Sequence, residues 1–456
     1  MFARVIPPAV FARRRHALLE RMGPGSIALL PAAASMPRNR DVHYPFRQDS
    51  DFYYLTGFPE PEALAVLIPG GDPEFLLFCR ARDPQLEIWH GRRAGPTGAV
   101  ERYGANHAHP MTAINRVLLP LLENRERVYY AIGYQPEFDR QVLDWINRVR
   151  DKARTGVRAP TVFIALEQLL HEMRLCKEPE EIAVMRESAR IAAEAHRRAM
   201  QCCRPGMHEY EIDAEIFHTF VRHGAGWAYP SIVAGGDNGC ILHYTENNAP
   251  LQDGDLLLID AGAELDGYAS DITRTFPVNG RFTGEQRAIY ELVLTAQQAA
   301  IAKVRPGGHF NDPHDAAVRT LTEGLAALGL LPGGAVEDLI KEEQHKPFYM
   351  HRTGHWLGMD VHDVGIYKNG EDWRVFEPGM VTTVEPGLYL PAGGQVIDAH
   401  WARLGVRLET ELAERWQRIG VRIEDDVLVT ADGNEVLSAA APKEIAEIEA
   451  LMREGR

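Results

Sequence analysis

The order of apolar and polar positions divides the chain into an amino-terminal α/β stretch and a second α/β stretch. Up to about residue 150, apolar runs of strand length such as "SIALLPA", "EFLLFCR" and "RVYYAIGY" alternate with helical patterns such as "MTAINRVLLPLLENR". This alternation predicts an α/β domain. Its aromatic- and arginine-rich segments "SMPRNRDVHYPFRQDSDFYYLTGFPEP" and "IWHGRRAGP" are predicted to be loops.

A long helical region connects the two stretches. The segment "LEQLLHEMRLCKEPEEIAVMRESARIAAEAHRRAM" has apolar residues at helical spacing, with an interruption just before Pro179. Because proline is well tolerated in the first turn of a helix, a new helix is expected to begin there. A domain boundary is therefore expected between about Thr155 and Pro179. We assign residues 1–175 to the amino-terminal domain and residues 176–456 to the second.

In the second domain, "GDLLLIDAGAELDGYASDITRTF" predicts a β-hairpin. Its apolar run has the length of a strand, and Asp266-Gly267 is a strong signal for a tight turn. Opposed residues then have numbers that sum to 533, so Asp260 lies opposite Thr273 and shares one face with Asp271. Carboxylates this close repel unless a cation lies between them. The pair indicates a divalent metal site, with a solvated polar face as the equal alternative.

Three later segments hold polar side chains that could complete such a site. One is the loop or strand edge predicted for "MHRTGHWLGMDVHDVG", and the others are strands predicted for "PGMVTTVEPGLYL" and "GVRIEDDVLVT". The candidate side chains are those of His351, His355, His362, Glu385, Arg422 and Glu424. In a chain with 64 acidic residues and 18 histidines, any one of them alone is more often a surface residue, so only the joint pattern indicates a metal centre.

Composition and charge exclude several classes of protein. The length of 456 residues predicts two domains, and 45% hydrophobic with 25% charged residues is ordinary for a globular enzyme. A net charge of −15 argues against nucleic acid or an anionic membrane as partner. Five cysteines without zinc-like spacing favour the cytoplasm. The arginine-rich amino terminus predicts an amphipathic helix, with a mitochondrial presequence as the alternative.

Several motifs together resemble the dinuclear metallopeptidases of the pita-bread fold, and within that family the bacterial Xaa-Pro aminopeptidases, also called aminopeptidase P. The segments that carry the resemblance are "YPFRQDSDFYYLTGFPEPEA", "EIWHGRR", "HEMRLCKEPEEIAVMR", "NGCILHYTEN", "LIDAGAELDGYASDITRTFPVNG", "HWLGMDVHDVG", "VEPGLY" and "GVRIEDD". They span nearly the whole chain. The resemblance implies an α/β (α+β) fold, with an N-terminal α/β domain followed by a C-terminal pita-bread metallopeptidase domain.

The resemblance also implies which residues form the site. The implied metal ligands are Asp260, Asp271, His355, Glu385 and Glu424. The implied catalytic residues are His243, His351, His362, Glu385 and Arg422, and the implied walls of a proline pocket are Trp89 and Tyr389. Because four carboxylates and one imidazole form a hard, oxygen-rich ligand set, two divalent ions, most consistent with Mn²⁺, are the expected cofactors.

The implied activity is that of a metallo-aminopeptidase, which releases the N-terminal residue from peptides with proline at the second position. A hydroxide that bridges the two metals would be the nucleophile. The alternatives are a prolidase, restricted to Xaa-Pro dipeptides, and a non-catalytic pita-bread binding protein. The expected partners are peptide substrates and further copies of this chain in a dimer or tetramer. The amino-terminal domain would serve oligomerisation and substrate access, since the family's tryptophan in "IWHGRR" reaches the active site of another subunit.

One ligand position has two candidates. The segment "GVRLE", which ends at Glu409, echoes "GVRIE", which ends at Glu424. The residues after Glu409 predict a helix that ends at Gly420, whereas those after Glu424 predict a strand closed by an Asp-Gly turn. Because a strand holds a ligand more rigidly than a surface helix does, Glu424 is the predicted ligand and residues 398–418 are a predicted insertion.

Overall fold

The chain forms two compact units. The computed structural model describes residues 6–393 and 414–455. One unit is formed by Arg4–Met173 and the other by Arg174–Arg456, and they are called here the amino-terminal and the carboxy-terminal unit. Among the helices of the described residues, none is long and apolar enough to cross a membrane.

The amino-terminal unit is built on one mixed sheet. Its strands are β1 (Ser26–Pro31), β2 (Pro37–Asn39), β3 (Val42–His43), β4 (Leu64–Leu67), β5 (Phe75–Cys79), β6 (His107–Pro110), β7 (Arg127–Tyr130) and β8 (Val162–Ala165). Its helices are α1 (Pro8–Met22), α2 (Ser50–Thr56), α3 (Pro84–His90), α4 (Gly95–Tyr103), α5 (Ile114–Leu122) and α6 (Pro136–Arg150). The sheet order is β6-β5-β4-β1-β7-β8, with β1 parallel to β7 and antiparallel to β4.

Strand β1 shows how the apolar pattern builds the core of this unit. Ile27 and Leu29 belong to a cluster that also contains Leu118 of α5 and Trp145 of α6. Alternate residues of a strand point to opposite faces of the sheet. Because Ala28, between them, is also 0% exposed, both faces of this strand are covered, as its continuous apolar run predicts.

Two segments predicted to be loops contain regular structure, so that prediction is wrong. The first forms β2, β3 and α2, and the second begins inside α3. The two helices are explained by aspartate capping. A side-chain oxygen of Asp49 accepts from the backbone N–H of Phe52 at 2.8 Å, and one of Asp83 accepts from that of Gln85 at 2.9 Å. Each interaction satisfies a free donor in the first turn of its helix.

The carboxy-terminal unit alternates helices with short strands. Its helices, after α7 (Glu167–Leu175), are α8 (Pro179–Cys202), α9 (Glu209–Arg222), α10 (Gly284–Ile301), α11 (Asp312–Ala327), α12 (Val336–Lys341) and α13 (Ile445–Glu454). Its strands are β9 (Gly226–Trp227), β10 (Ile232–Gly235), β11 (Leu256–Asp260), β12 (Ala263–Leu265), β13 (Tyr268–Ala269), β14 (Thr273–Pro277), β15 (Lys368–Asn369), β16 (Asp372–Trp373), β17 (Val381–Val384), β18 (Gly387–Leu390), β19 (Ile419–Arg422), β20 (Asp425–Val429) and β21 (Asn434–Val436). Helix α8 begins at Pro179, as predicted.

The strands form small antiparallel sheets, and strands β11, β14 and β19 share one core with the helices. Strand β11 lies between β10 and β14, β20 lies between β17 and β21, and β18 pairs with β19. Ile259, Phe276 and Val421 from these strands belong to one cluster with Ile216 of α9 and Val293 of α10, and all five are 0% exposed. The strand ends next to this core are therefore rigidly held.

The hairpin forms in the predicted register, with Asp260 opposite Thr273. Its turn residues Asp266 and Gly267 have φ of 48° and 82°, both in the left-handed region that a type I′ turn requires. The hairpin does not lie in one sheet, however. Strands β11 and β14 form a sheet with β10, whereas β12 and β13 form a second sheet with β9. Near this change a Cβ on Gly262 would lie 1.8 Å from a backbone oxygen of the opposite strand, so glycine is required.

Two predictions about the last strands are wrong. The segment "GVRIEDDVLVT" forms two strands, β19 and β20, and Glu424 lies in the break between them. Gly420 does not cap a helix but lies inside β19, where a Cβ would lie 2.1 Å from the carbonyl oxygen of Gly239. Close approach of two backbones explains this glycine. Glu409 and most of its predicted helix lie outside the described residues, and the part from Glu414 contains only a short 3-10 turn.

Candidate metal centre

The five predicted metal ligands line one cavity of about 660 Å³ in the carboxy-terminal unit. Each of the four carboxylates lies at or next to a strand end. Asp260 is the last residue of β11, Asp271 lies just before β14, Glu385 follows β17 and Glu424 precedes β20. His355 lies in the irregular segment before β17. Strands that are far apart in the sequence thus bring their ends to the same cavity.

Three of these side chains form a compact cluster. Ligand atoms of Asp271, His355 and Glu424 all lie within 4.8 Å of one another. The His355 Nε2 lies 3.3 Å from a carboxylate oxygen of Asp271 and 3.7 Å from one of Glu385. The Tyr229 hydroxyl contacts one oxygen of Asp260 and one of Asp271. Because it has one proton for two acceptors, Tyr229 cannot neutralise the pair.

Burial and mutual repulsion disfavour the charged forms of these carboxylates. Burial, then the charge of Asp260, raises the pKa of Asp271, and burial raises the pKa of Glu385 to about 7. Burial, followed by the charge of Asp271, also raises the pKa of Glu424. Burial lowers the pKa of His355, but its hydrogen bond to Asp271 and the charge of Glu385 outweigh it and raise the value to about 9. The positive charge that this raised pKa favours on His355 does not offset the repulsion among the carboxylates, whose pKa values remain raised.

This donor set fits divalent metal ions. Four carboxylates and one imidazole offer mainly hard oxygen atoms, which Mn²⁺ and Mg²⁺ prefer, whereas structural zinc sites favour cysteine and histidine. A bound cation would relieve the repulsion that raises the carboxylate pKa values. Asp271, His355 and Glu424 would hold one ion together, and Asp260 and Glu385 lie in the same cavity wall for a second.

Thr273 and Arg422 connect two of the acidic side chains. The Thr273 hydroxyl donates to Glu424 at 2.6 Å and accepts from Arg422 Nε at 3.1 Å. The Nη2 of Arg422 donates to Asp260 at 2.7 Å, and its Nη1 donates to the Tyr389 hydroxyl at 3.1 Å. Arg422 is 4% exposed, so its charge is committed to this network.

His351 lies on the far side of Tyr389. Its Nε2 is 2.9 Å from the Tyr389 hydroxyl, and its Nδ1 is 3.7 Å from a Glu385 oxygen. Burial, then the charge of Arg422, lowers the pKa of His351 to about 3. Tyr389 is 1% exposed and does not line the cavity. In this structure Tyr389 contacts His351 and Arg422 on the side that faces away from the cavity. It therefore does not line the cavity, whereas the sequence predicted it as a wall of the proline pocket.

One buried carboxylate organises the segment that carries His243. Glu209 begins α9 and is 0% exposed. One of its oxygens accepts from the backbone N–H of Gly235 at 2.8 Å, and the other accepts from the Tyr244 hydroxyl and the Ala249 N–H, both at 2.8 Å. The side-chain amide of Asn238 supplies a fourth donor. These donors lie on both sides of His243, which lines the cavity.

A second buried network holds the segment that carries His362. The ring of His362 lies 4.3 Å from that of His355, edge to face, and lines the cavity. The next residue, Asp363, accepts from Arg174 at 2.6 Å and from Lys177 at 2.9 Å. All three charged side chains are at most 3% exposed. The two cations hold the pKa of Asp363 below its usual range, although burial opposes them.

Several residues of this site were not predicted from the sequence. Trp89 was predicted to wall the pocket; it lies in the amino-terminal unit at the end of α3 and is 81% exposed. The residues missed in the cavity wall are Leu242, Phe310, Arg352, Gly354, Tyr367 and Trp373. Tyr229 and Thr273 were missed because hydroxyl side chains carry no pattern that marks a site.

Carboxylates at the ends of buried strands, with histidines around the same cavity, are typical of a metal-dependent hydrolase. The described residues of the cavity wall include no serine or cysteine that could act as a nucleophile. Residues 183–431 match the family model "Metallopeptidase family M24", and residues 11–129 match "Aminopeptidase P, N-terminal domain". The chain belongs to metallopeptidase family M24.

Individual relatives agree over the full length. The chain is 48% identical to the Xaa-Pro aminopeptidase of Escherichia coli strain K12, with 97% of each chain covered. It matches the structure of the Pseudomonas aeruginosa aminopeptidase PepP with 55% identity and a TM-score of 0.95 over 99% of each chain. It also matches zinc-substituted E. coli aminopeptidase P in complex with product, at 47% identity and a TM-score of 0.92 over 99% of each chain. The predicted family, fold class and enzyme class, a metallo-aminopeptidase that cleaves before proline, are confirmed.

Proposed function

We propose that this chain binds two divalent metal ions, Mn²⁺ in the cell, and uses them to release the N-terminal residue from peptides with proline second. The proposed ligands are Asp260, Asp271, His355, Glu385 and Glu424. The observation that carries the proposal is their convergence on one cavity, where their mutual repulsion calls for added positive charge. When bound, the two ions would supply Lewis acidity and would lower the pKa of a water molecule.

The roles of the remaining side chains follow from their positions. Glu385 accepts a proton from the attacking water and passes it to the proline nitrogen, which lacks an N–H and leaves only after protonation. A base suits this role when its pKa lies near the working pH. His243 and His362 line the cavity, and they are proposed to hydrogen-bond the substrate carbonyl as negative charge develops on its oxygen.

Arg422 and Tyr389 act as positioning residues in this proposal. Arg422 holds Asp260 at 2.7 Å, and Tyr389 holds His351 at 2.9 Å. The substrate's free amine meets an acid of the centre, which limits cleavage to the first residue. His351, which projects from this network into the cavity wall, is proposed to contact the proline.

The amino-terminal domain, residues 1–175, is proposed to serve oligomerisation and substrate access, with residues 176–456 as the catalytic domain. Trp89 and its neighbour Ile88, each 81% exposed, support this assignment, because adjacent apolar side chains at the surface form the kind of patch that marks a contact site. A homo-oligomer, dimer or tetramer, in the cytoplasm is inferred. All five cysteines are free, which suits a reducing compartment.

Hydrolysis of Xaa-Pro-Yaa, Xaa-Pro and Xaa-Ala peptides tests the substrate class. We expect cleavage of the tripeptide after its first residue and poor cleavage of Xaa-Ala. Cleavage of the dipeptide alone would identify a prolidase. The cofactor is tested by removing metal with EDTA and adding back Mn²⁺, Mg²⁺ or Zn²⁺. Full activity in protein that elemental analysis shows to be metal-free would refute the proposed centre.

A further inference from the structure

We propose that Arg352 binds a carboxylate of the peptide substrate, and that this side chain makes the enzyme favour short peptides with a free C-terminus. The inference rests on the proposed function and adds to it a determinant of substrate length. Arg352 lies directly after His351 and lines the same cavity as the predicted metal ligands.

The cavity wall contains two arginines, and only Arg352 has its charge available. Arg422 is buried and already pairs with Asp260 at 2.7 Å. Arg352 is exposed to solvent, and within the described residues it forms no ion pair with a carboxylate. The acidic residues of the wall are the proposed metal ligands, and the ions that they hold would bind the end of the peptide that is cut. Arg352 is therefore the arginine of the wall that remains for a carboxylate farther along the peptide.

Two contacts hold the Arg352 guanidinium in place. Its Nη2 donates to the side-chain oxygen of Asn311, and its Cζ lies 4.8 Å from the centre of the Trp373 ring. An arginine held over an aromatic ring keeps the edge of its planar fork free to bind a carboxylate with two hydrogen bonds. Because the side chain is already ordered, little entropy is lost when it binds.

The chemistry of the substrate supplies the carboxylate. An aminopeptidase substrate has a free amine at the end that is cut, so its C-terminal carboxylate is the anion present in every unmodified peptide. In a short peptide this group remains inside or near the cavity, whereas in a long peptide it lies far outside. An acidic side chain of the substrate is the other possible source.

The experiment compares the tripeptide Xaa-Pro-Yaa as free acid with its C-terminal amide. For the wild type, we expect kcat/KM for the acid to exceed that for the amide about tenfold, mainly through KM, as one charge-assisted pair provides. In Arg352→Gln this ratio is expected to fall to about one. Arg352→Lys, which keeps the charge without the planar fork, should give an intermediate ratio.

Lys368→Gln is the matched control. The Lys368 ammonium lies 4.3 Å from the centre of the same Trp373 ring but does not line the cavity, so its loss should leave the acid-to-amide ratio unchanged. A third substrate, an amide with glutamate as Yaa, separates the two sources. If the wild type cleaves this glutamate-containing amide with the higher kcat/KM of the free acid, and Arg352→Gln does not, then Arg352 also binds a side-chain carboxylate.

Two outcomes overturn the inference: equal kcat/KM for acid and amide in the wild type, or an unchanged ratio in Arg352→Gln. The first comparison needs no variant, so poor folding of a mutant cannot obscure it. Failure of the proposed function is a different result, since no proline peptide, acid or amide, would then be cleaved.

Discussion

Replacing Glu209 by glutamine tests whether the loop that carries His243 must be held for catalysis. Glutamine keeps the size of the side chain but loses the negative charge. One oxygen would become an NH₂ group facing donors. If the NH₂ group takes the position of Oε2, it faces the Tyr244 hydroxyl and the Ala249 N–H. In the wild type both of these donate to Glu209 at 2.8 Å. The hydroxyl can turn and accept a hydrogen bond, but the backbone N–H cannot.

The expected loss of stability follows from these contacts. One buried backbone donor left without an acceptor costs about 1–3 kcal/mol. The remaining bonds to Oε1 lose their charge assistance, which adds about 1 kcal/mol. The free energy of unfolding of Glu209→Gln should therefore fall by about 2–4 kcal/mol. Because this loop contains no proposed metal ligand, kcat should fall while metal content stays near wild type.

The assay is urea unfolding together with peptide hydrolysis and elemental analysis. Glu211→Gln is the matched control on the same helix. Glu211 is exposed, accepts from the backbone N–H of His208 at 2.7 Å and lies 3.7 Å from the Nδ1 of the same residue. Glutamine serves equally well at that position of a capping box, so the control should stay within about 0.5 kcal/mol of wild type. If Glu209→Gln is as stable and active as this control, the loop is not held in the way described.

Three further predictions concern the metal centre and the core. His243→Ala and His362→Ala should each lower kcat by about 100-fold or more with metal content near wild type, as for lost oxyanion donors; elemental analysis that shows metal loss would make them ligands. Glu424→Gln should lose metal and activity whereas Glu409→Gln keeps both, and the reverse would move the site. Burial lowers the pKa of His196 from 6.5 to about 4. As the pH falls, His196 is therefore protonated in the unfolded chain before it is protonated in the folded protein. The free energy of unfolding should fall by about 3 kcal/mol as the pH drops from about 6.5 to about 4. Urea unfolding of chelator-treated protein should show a flatter pH dependence in His196→Gln; an unchanged slope would contradict the assignment.

The hairpin was predictable because its turn is specified locally. Asp266 and Gly267 both adopt positive φ, and a two-residue turn of this type fixes the pairing of Asp260 with Thr273 without tertiary information. Helix α8 was predictable for a similar reason, since its first residue is a proline. Local signals of this kind depend only on residues that are neighbours in the sequence.

The partners of the acidic residues were not predictable, because they come from distant parts of the chain. Tyr229 lies 31 residues before Asp260, which it contacts, and Thr273 lies 151 residues before Glu424. A hydroxyl side chain in a strand gives no sign of which distant acid it will meet. Asp260 and Asp271 could be proposed from the hairpin alone, whereas the full set of five proposed metal ligands rested on motifs that resemble a known family.

The three consecutive acids from Glu424 to Asp426 show how far period-two alternation predicts this part of the site. Alternation places Glu424 and Asp426 on one face and Asp425 on the other. The structure keeps this division: Glu424 belongs to the cluster that contains Asp271, and Asp426 accepts the backbone N–H of the same residue at 3.1 Å. Asp425 instead accepts from Arg274 at 2.7 Å. All three acids are at most 2% exposed, so both faces are covered. The alternation did not predict this burial, because Asp271 and Arg274 lie 155 and 151 residues before the acids that they contact.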